Sequence, residues 1–295
     1  MKRLAVISGK GGTGKTMVTA ALAHLLQGHL VIADCDVDAA NLALLLNPRP
    51  LWTKPFFGMQ AAAIDPDLCL GCGACETNCR FEAIRPDGGI FRVDTLHCEG
   101  CAVCRLVCPA EAVNMQPRQT GMICYSETDR GHLVHARLVP GAGNSGLLVS
   151  AVKKTALEND PKSDLLLIDG PPGTGCPLIS TISGVDLVLV VTEPSISGLH
   201  DLERVVAVCR QFRPGVLVAI NRFDLSPTIA RMIHLWCRDQ QIPLIGEIPF
   251  DPKVIETVRQ GVPITRAVDS PALGAVQEMA VRLEEHLDSC ASVTG

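Results

Sequence analysis

A glycine-rich loop near the N-terminus constrains the fold of this chain more than any other feature. Residues 9–16 read Gly-Lys-Gly-Gly-Thr-Gly-Lys-Thr and fit the pattern G-x-x-x-x-G-K-[ST]. An apolar run at residues 2–8 precedes the loop and an apolar-rich run at residues 17–26 follows it, which predicts strand, loop and helix in that order. The glycines let backbone N–H groups converge on phosphate oxygens, and the helix start adds its positive dipole end. The motif therefore predicts a nucleotide-phosphate site.

The remainder of the chain predicts a doubly wound α/β fold. Further buried strands are expected at residues 30–34, 165–168, 187–191, 216–220 and 244–248. Predicted helices alternate with them, and their uninterrupted Val, Ile and Leu runs are typical of strands covered on both faces. We therefore expect a mostly parallel sheet of the P-loop NTPase kind, interrupted once by a smaller unit.

The interruption is rich in cysteine. Eight of the fourteen cysteines lie between positions 69 and 108, and the spacing C-x₂-C-x₂-C-x₃-C occurs twice, 29 residues apart. This is the run of bacterial two-cluster ferredoxins, in which the fourth cysteine binds the other cluster. It predicts one [4Fe–4S] cluster on Cys69, Cys72, Cys75 and Cys108, and a second on Cys98, Cys101, Cys104 and Cys79. The alternative is a pair of Cys₄ zinc sites, which the third close cysteine of each run disfavours because zinc ribbons pair two distant C-x₂-C units.

These features divide the chain. We expect a first part of the nucleotide domain at residues 1–59, a small α+β ferredoxin-like insert at 60–118, and the second part of the nucleotide domain at 119–295. Pro48, Pro50 and Pro55 predict a linker ahead of the insert.

Residues 10–16 resemble the deviant Walker A motif of the MinD/Mrp/ParA superfamily of ATPases. The resemblance implies that Lys10 is a signature lysine, which crosses a homodimer interface to the partner's nucleotide. It further implies that Lys15 contacts the β- and γ-phosphates of ATP and that the Thr16 hydroxyl binds Mg²⁺. The nucleotide-binding set expected from the loop is Gly11, Gly12, Thr13, Gly14, Lys15, Thr16 and Met17.

Later segments carry the same resemblance. Asp36 matches the switch I aspartate that orients the attacking water near Mg²⁺, and it is expected at the Mg²⁺ site together with Thr16 and Asp169. Asp34 and Asp38 remain open as loop caps or as partners in that role. Asp169 matches the Walker B aspartate that holds Mg²⁺ through water, and Gly173 the switch II glycine that faces the γ-phosphate. The segments that match the adenine-contacting positions supply Asn221, Arg222, Pro249 and Asp251.

Composition narrows the functional classes. A formal net charge of −5 argues against nonspecific nucleic-acid binding. No apolar run approaches the ~20 residues of a membrane helix, and the acidic C-terminal segment lacks a basic amphipathic helix, so we expect a cytoplasmic protein without a direct membrane anchor. His132 and His135 are expected to be strand or surface residues rather than ligands. The remaining cysteines are expected to be incidental or buried: Cys35, Cys124, Cys176, Cys209, Cys237 and Cys290.

Three functions fit these expectations. The favoured one is an ATPase, binding ATP and ADP, that acts as a dimeric switch coupled to electron transfer through two [4Fe–4S] clusters, with a redox or regulatory protein as partner. The second is an ATPase that carries or assembles iron–sulfur clusters. The third is a spatial or cell-division regulator, like MinD and ParA, with redox-sensing clusters.

Overall fold

The computed structural model describes the backbone of residues 1–291 and the side chains of residues 1–289. The strands are β1 Lys2–Ser8, β2 Leu30–Asp34, β3 Arg49–Phe56, β4 Met59–Ile64, β5 Ile84–Asp87, β6 Ile90–Val93, β7 Val113–Arg118, β8 Gly121–Thr128, β9 Gly131–Leu138, β10 Leu165–Pro172, β11 Leu187–Thr192, β12 Gly215–Asn221 and β13 Leu244–Ile248. The α-helices are α1 Lys15–Leu25, α2 Leu42–Leu46, α3 Ala74–Thr77, α4 Val103–Leu106, α5 Ser145–Asn159, α6 Cys176–Ile182, α7 Ile196–Phe212, α8 Pro227–Asp239, α9 Pro252–Arg259 and α10 Pro271–Ala291.

Nine strands form one large sheet in the order β13-β12-β11-β1-β10-β2-β9-β8-β3. The pairs from β13 to β9 are parallel, whereas β8 and β3 join antiparallel at one edge. The predicted doubly wound, mostly parallel α/β architecture is therefore confirmed. Ligands of such sheets bind at the carboxyl ends of the central strands, and here β1 leads directly into the glycine loop at that end.

The two faces of the sheet carry separate apolar cores because side chains alternate along each strand. Leu4 and Val6 of β1 belong to the core beneath α1 and α10, while Ala5 and Ile7 belong to the core beneath α5 and α7. All four are fully buried. Covering both faces removes the strands from water, which explains their continuous apolar sequence.

The antiparallel edge corrects one prediction. The proline-punctuated segment expected as a linker contains β3, which pairs with β8 over residues 49–56. Proline donates no ladder hydrogen bond and is tolerated on an edge strand, where one side of the backbone has no partner strand. Trp52 of β3 stacks on Tyr125 of β8 with ring centroids 5.4 Å apart. The mostly exposed side chains of β3 explain why its sequence carries no buried-strand signal.

Residues 59–118 form a cysteine-rich lobe. Its first and last strands, β4 and β7, pair antiparallel from Met59–Arg118 to Ile64–Val113, so the lobe begins and ends at one place. The backbone repeats with the cysteines: Gly71 and Gly100 have φ of 65° and 67°, and Glu82 and Glu111 have φ of 51° and 53°. A small core that includes Ala62, Ile84, Phe91 and Val113 lies between the two runs.

Within residues 1–291, no helix is both long and apolar enough to cross a membrane.

A substitution at Ile168 tests how much the buried side chains of the central strands contribute to stability. Ile168 lies in β10 with no exposed surface, and we expect Ile168→Ala to lower the free energy of unfolding by about 2–5 kcal/mol because it leaves a cavity. Denaturant unfolding followed by circular dichroism measures this loss. Ile196→Ala is the matched control: its side chain is 65% exposed, and its effect should stay within about 0.5 kcal/mol. Equal losses would contradict the core assignment.

Candidate functional site

The glycine loop is shaped by its neighbours. Gly12 and Gly14 have φ of 79° and 90°, a region that favours glycine. A Cβ on Gly14 would also lie 2.2 Å from Nδ2 of Asn221, so any side chain there would collide with β12. That Nδ2 donates to the carbonyl of Thr13 at 2.7 Å. The hydroxyl of Thr13 is buried and has no hydrogen-bond partner among residues 1–289, as expected of a group that faces a ligand.

Lys15 and Asp169 form a buried ion pair at the centre of the site. Nζ of Lys15 lies 3.0 Å from Oδ1 of Asp169, and the Thr16 hydroxyl donates to Oδ2 at 2.8 Å. Oγ1 of Thr19, which has no exposed surface, lies 2.8 Å from Oδ1 of Asp169. Burial alone would lower the pKa of Lys15, but Asp169 and Asp36 outweigh it and raise that pKa above its ordinary value. The lysine is therefore held charged where a phosphate would bind.

The three switch I carboxylates occupy different positions. Oδ2 of Asp36 lies 3.7 Å from Nζ of Lys15, whereas Asp38 is exposed. Asp34 is fully buried and accepts hydrogen bonds from the backbone N–H groups of Asp36 and Leu42, each at 3.1 Å. Burial and the nearby Asp169 raise the pKa of Asp34 to about 8. The structure thus uses Asp34 to brace the loop and brings Asp36 to the lysine.

Lys10 is held by its own chain. Its Nζ lies 2.7 Å from Oε1 of Glu193 and donates to the Ser197 hydroxyl at 2.8 Å. Arg222 approaches the other carboxylate oxygen of Glu193 at 3.2 Å. Burial pushes the pKa of Glu193 upward, but Lys10 and Arg222 outweigh burial and lower it. Gly173, the expected switch II glycine, donates its N–H to the carbonyl of Ser8 at 3.0 Å.

A cavity of about 200 Å³ lies beside the loop. Six residues expected at the nucleotide line it: Gly14, Met17, Asn221, Arg222, Pro249 and Asp251. Phe250, within the expected segment 249–251, also lines the cavity. The sequence reasoning missed the α9 residues Val254, Ile255 and Val258, which supply apolar walls. The sequence signal that could have identified this wall is the apolar pair Val254 and Val258, spaced i, i+4 in a predicted helix.

Two polar residues that line this cavity, Asn221 and Asp251, also make hydrogen bonds that stabilise the fold. The Asn221 amide braces Thr13 and accepts the backbone N–H of Arg222 at 3.0 Å through Oδ1. Asp251 caps α9 by accepting the N–H of Lys253 at 2.9 Å.

The cysteines of the lobe come together in two groups of four. One small cavity is lined by Cys69, Cys72, Cys75 and Cys108, and the other by Cys79, Cys98, Cys101 and Cys104. Each group thus takes its fourth member from the other run.

The other cysteines are dispersed. Cys35, Cys209 and Cys237 are buried, Cys124 is half-buried and Cys176 is exposed. The side chain of Cys290 lies outside the described residues.

The lobe contacts the nucleotide domain at the start of α5. Nδ2 of Asn144 donates to the carbonyl of Gly58 at 3.1 Å, where the lobe begins. The first turn of α5 packs on α6, where a Cβ at Gly146 would lie 3.2 Å from the Ser180 hydroxyl. Helix α6 begins at Cys176, three residues after Gly173. A continuous contact path therefore joins Gly173, the expected switch II glycine, to Gly58, the residue that immediately precedes the lobe.

Comparison with known proteins agrees with this geometry. Residues 4–264 match the sequence model of the CobQ/CobB/MinD/ParA nucleotide-binding domain. An uncharacterized protein of Methanocaldococcus jannaschii is 31% identical over 97% of this chain and 97% of its own length. The iron–sulfur cluster carrier protein of Pyrococcus horikoshii is 25% identical, covering 97% of this chain and 86% of its own. The septum site-determining protein MinD of P. horikoshii, solved with Mg-ADP, superposes with a TM-score of 0.59 at 21% identity over 98% of both chains and shares the fold.

Thr19 is a residue that the motif reading did not select. Thr19→Val keeps the side-chain shape but removes the hydroxyl beside the buried Asp169, so we expect the free energy of unfolding to fall by about 1–3 kcal/mol. Denaturant unfolding without nucleotide measures the change. Thr19→Ser retains the hydroxyl and should keep most of the stability. If valine and serine behaved alike, the hydroxyl contact would not support the site.

Proposed function

Because the chain belongs to the CobQ/CobB/MinD/ParA nucleotide-binding family, we propose that it is an ATP-hydrolysing iron–sulfur protein whose nucleotide state controls electron transfer through two [4Fe–4S] clusters. One observation carries the proposal: a P-loop with its lysine and switch aspartates in place lies in the same chain as two cysteine quartets of ferredoxin pattern. The ATPase class follows from the family, whereas the clusters and their coupling to ATP are the proposal.

We expect the P-loop residues and the aspartates beside them to have separate roles in ATP hydrolysis. Lys15 is charged and buried, and with ATP present it would exchange part of its contact with Asp169 for the β- and γ-phosphates. The Thr16 hydroxyl, which here donates to Asp169 at 2.8 Å, would bind Mg²⁺ when nucleotide is present, and Asp169 would hold the ion through water. Bound Mg²⁺ supplies charge neutralisation on the phosphates. Asp36 would orient the attacking water, since it is the switch I carboxylate nearest Lys15.

The cysteine quartets fit [4Fe–4S] clusters better than zinc. The crossed pairing of Cys108 with the first run and Cys79 with the second is the ferredoxin ligand pattern. Backbone N–H groups of Ala62 and Ala83 point at the sulfurs of Cys98 and Cys79, at 3.5 and 3.4 Å, as groups that tune a cluster do. When bound, such clusters supply one-electron transfer.

The switch would act through two contacts that nucleotide can break. The N–H of Gly173 is bonded to Ser8, and ATP offers its γ-phosphate as a competing acceptor. Movement of Gly173 would pass to α6, then to α5 and to the lobe at Gly58. Lys10, expected to cross to the partner's nucleotide in a homodimer, must first leave Glu193.

Cluster carriage is the second candidate. It is favoured by the relatives from Pyrococcus that are named iron–sulfur cluster carrier proteins, at 25% identity. A carrier releases its cluster to an acceptor, whereas four cysteines for each cluster favour retention. The two functions are distinguished by incubating the cluster-loaded chain with an apo-acceptor protein and measuring the iron that is transferred. Transfer favours carriage, and retention favours electron transfer.

A redox titration followed by electron paramagnetic resonance tests the coupling. We expect the anaerobically purified chain to contain about eight irons. On an Asp36→Ala background that blocks hydrolysis, the cluster midpoint potentials should differ between Mg-ATP and Mg-ADP. If the oxidised and reduced chains differ tenfold in nucleotide affinity, the midpoint potential of a one-electron cluster shifts by about 59 mV.

Two exposed cysteines, Cys72 and Cys176, provide a test variant and its matched control for that titration. Cys72→Ala should lose signal from one cluster because Cys72 lines a quartet, whereas Cys176→Ala should keep both. Identical potentials with both nucleotides would reject the coupling and favour a partner-directed switch. Absence of iron would reject the clusters.

Glu193 tests the position of Lys10. Glu193→Gln removes the charge that holds Lys10 in its own chain, so we expect ATP-dependent dimerisation to tighten roughly two- to fivefold, the scale of a partly exposed ion pair. Sedimentation of the Asp36→Ala form with Mg-ATP measures the dimer affinity. Glu158→Gln, which breaks the exposed Lys154–Glu158 pair on α5, should leave it unchanged. Weaker dimerisation of Glu193→Gln would show that Glu193 supports the dimer instead.

A further inference from the structure

A group of three polar side chains lies at the end of the sheet opposite the P-loop. His29 immediately precedes β2, and His132 is the second residue of β9. Val31 and His132 are neighbours in the parallel register, and His29 lies two residues before Val31, so both imidazoles lie on one face of the sheet. Asp160 follows the last residue of α5, which covers that same face.

The three side chains converge on one point. Oδ2 of Asp160 lies 2.8 Å from Nδ1 of His132 and 3.5 Å from Nε2 of His29. One donor atom from each residue falls within 4.8 Å of the others, and among residues 1–289 this is the only such group of histidine, cysteine or acidic side chains. Asp160 is only 6% exposed, whereas the side chains of His29 and His132 are 49% and 30% exposed, so a buried carboxylate meets two partly exposed imidazoles.

The surroundings hold the group in place. The ring of Tyr125 stacks on His132 at 4.8 Å, and Trp52 stacks on Tyr125 in turn. The backbone of His29 is bonded on both sides to Asp164, through its N–H at 2.9 Å and its carbonyl at 2.8 Å. The side chain of His29 is half exposed, so the group is open to solvent on this side.

We propose that His29, His132 and Asp160 bind a divalent transition-metal ion, with Zn²⁺ the best-suited ion. Two imidazoles and one carboxylate are ligands of borderline metals such as zinc, whereas Ca²⁺ and Mg²⁺ take oxygen ligands. Three protein ligands leave a coordination position for water or an exogenous group. His132 lies in a strand as expected, and the proposal adds a ligand role that the sequence did not predict.

The site ties three elements together. A bound ion would link the C-terminal end of α5 to the starts of β2 and β9, and the opposite end of α5 contacts the cysteine-rich lobe through Asn144. The ligands are spread over residues 29–160 and form no motif, so only the folded chain brings them together. The proposal is independent of the ATPase and cluster assignments.

Zinc counting by equilibrium dialysis and mass spectrometry tests the site. Wild-type protein should retain one more zinc per chain than His29→Ala, because any zinc held by cysteines is common to both. His234→Ala is the matched control, since His234 pairs with one carboxylate, Glu247 at 2.7 Å, without a second histidine. It should retain the wild-type count. Equal counts for wild type and His29→Ala would overturn the proposal.

Two further measurements keep the test independent of folding. His132→Gln should weaken zinc binding by at least about tenfold, and its circular dichroism spectrum reports whether it is folded. Crystals of the wild-type chain soaked in ZnCl₂ should show anomalous density between the three side chains. If no density appears there, the group is a hydrogen-bonded cluster without a metal, and the proposal fails.

Discussion

The buried pair of Lys15 and Asp169 organises the nucleotide half of this protein. It joins the first helix to β10, and Thr16 and Thr19 from the same helix complete the contacts of the carboxylate. Opposite charges in a buried site need this full set of hydrogen bonds, because either charge alone would be strongly disfavoured. The pair also sets the electrostatics around it, since Asp169 contributes to the raised pKa of Asp34. Asp36 also lies beside Lys15, so one cation faces two carboxylates, and a bound Mg²⁺ would add positive charge for the phosphates.

The large sheet positions the nucleotide site at one end of its strands and the His29, His132 and Asp160 group at the other. Its carboxyl edge holds the glycine loop and the switch aspartates, while the amino edge carries His29 and His132. Helix α5 spans the same face from the lobe at Asn144 to Asp160. Because a packed helix moves as a unit, a shift of α6 at the nucleotide site has a direct route to the cysteine-rich lobe. Chain order alone, which places the lobe after switch I, does not reveal this route.

Several elements escaped prediction for identifiable reasons. Strands β3, β8 and β9 form the antiparallel edge, where β3 is mostly exposed and only half the residues of β8 and β9 are buried. β3 also carries two prolines that usually signal a linker. The apolar wall of the cavity beside the glycine loop comes from α9, whose residues look like an ordinary amphipathic helix. Asp34 resembled a catalytic candidate until its burial and its two backbone N–H donors identified it as a brace.

The sequence by itself determined the parts whose chemistry is local. A glycine loop between a strand and a helix and two runs of closely spaced cysteines need only neighbouring residues, so their spacing predicts both the phosphate site and the crossed cysteine quartets. Tertiary structure alone decided which switch aspartate reaches Lys15, where Lys10 is held, and that His29, His132 and Asp160 meet. These outcomes depend on strand register and helix packing, which join residues far apart in the chain and leave no pattern along it.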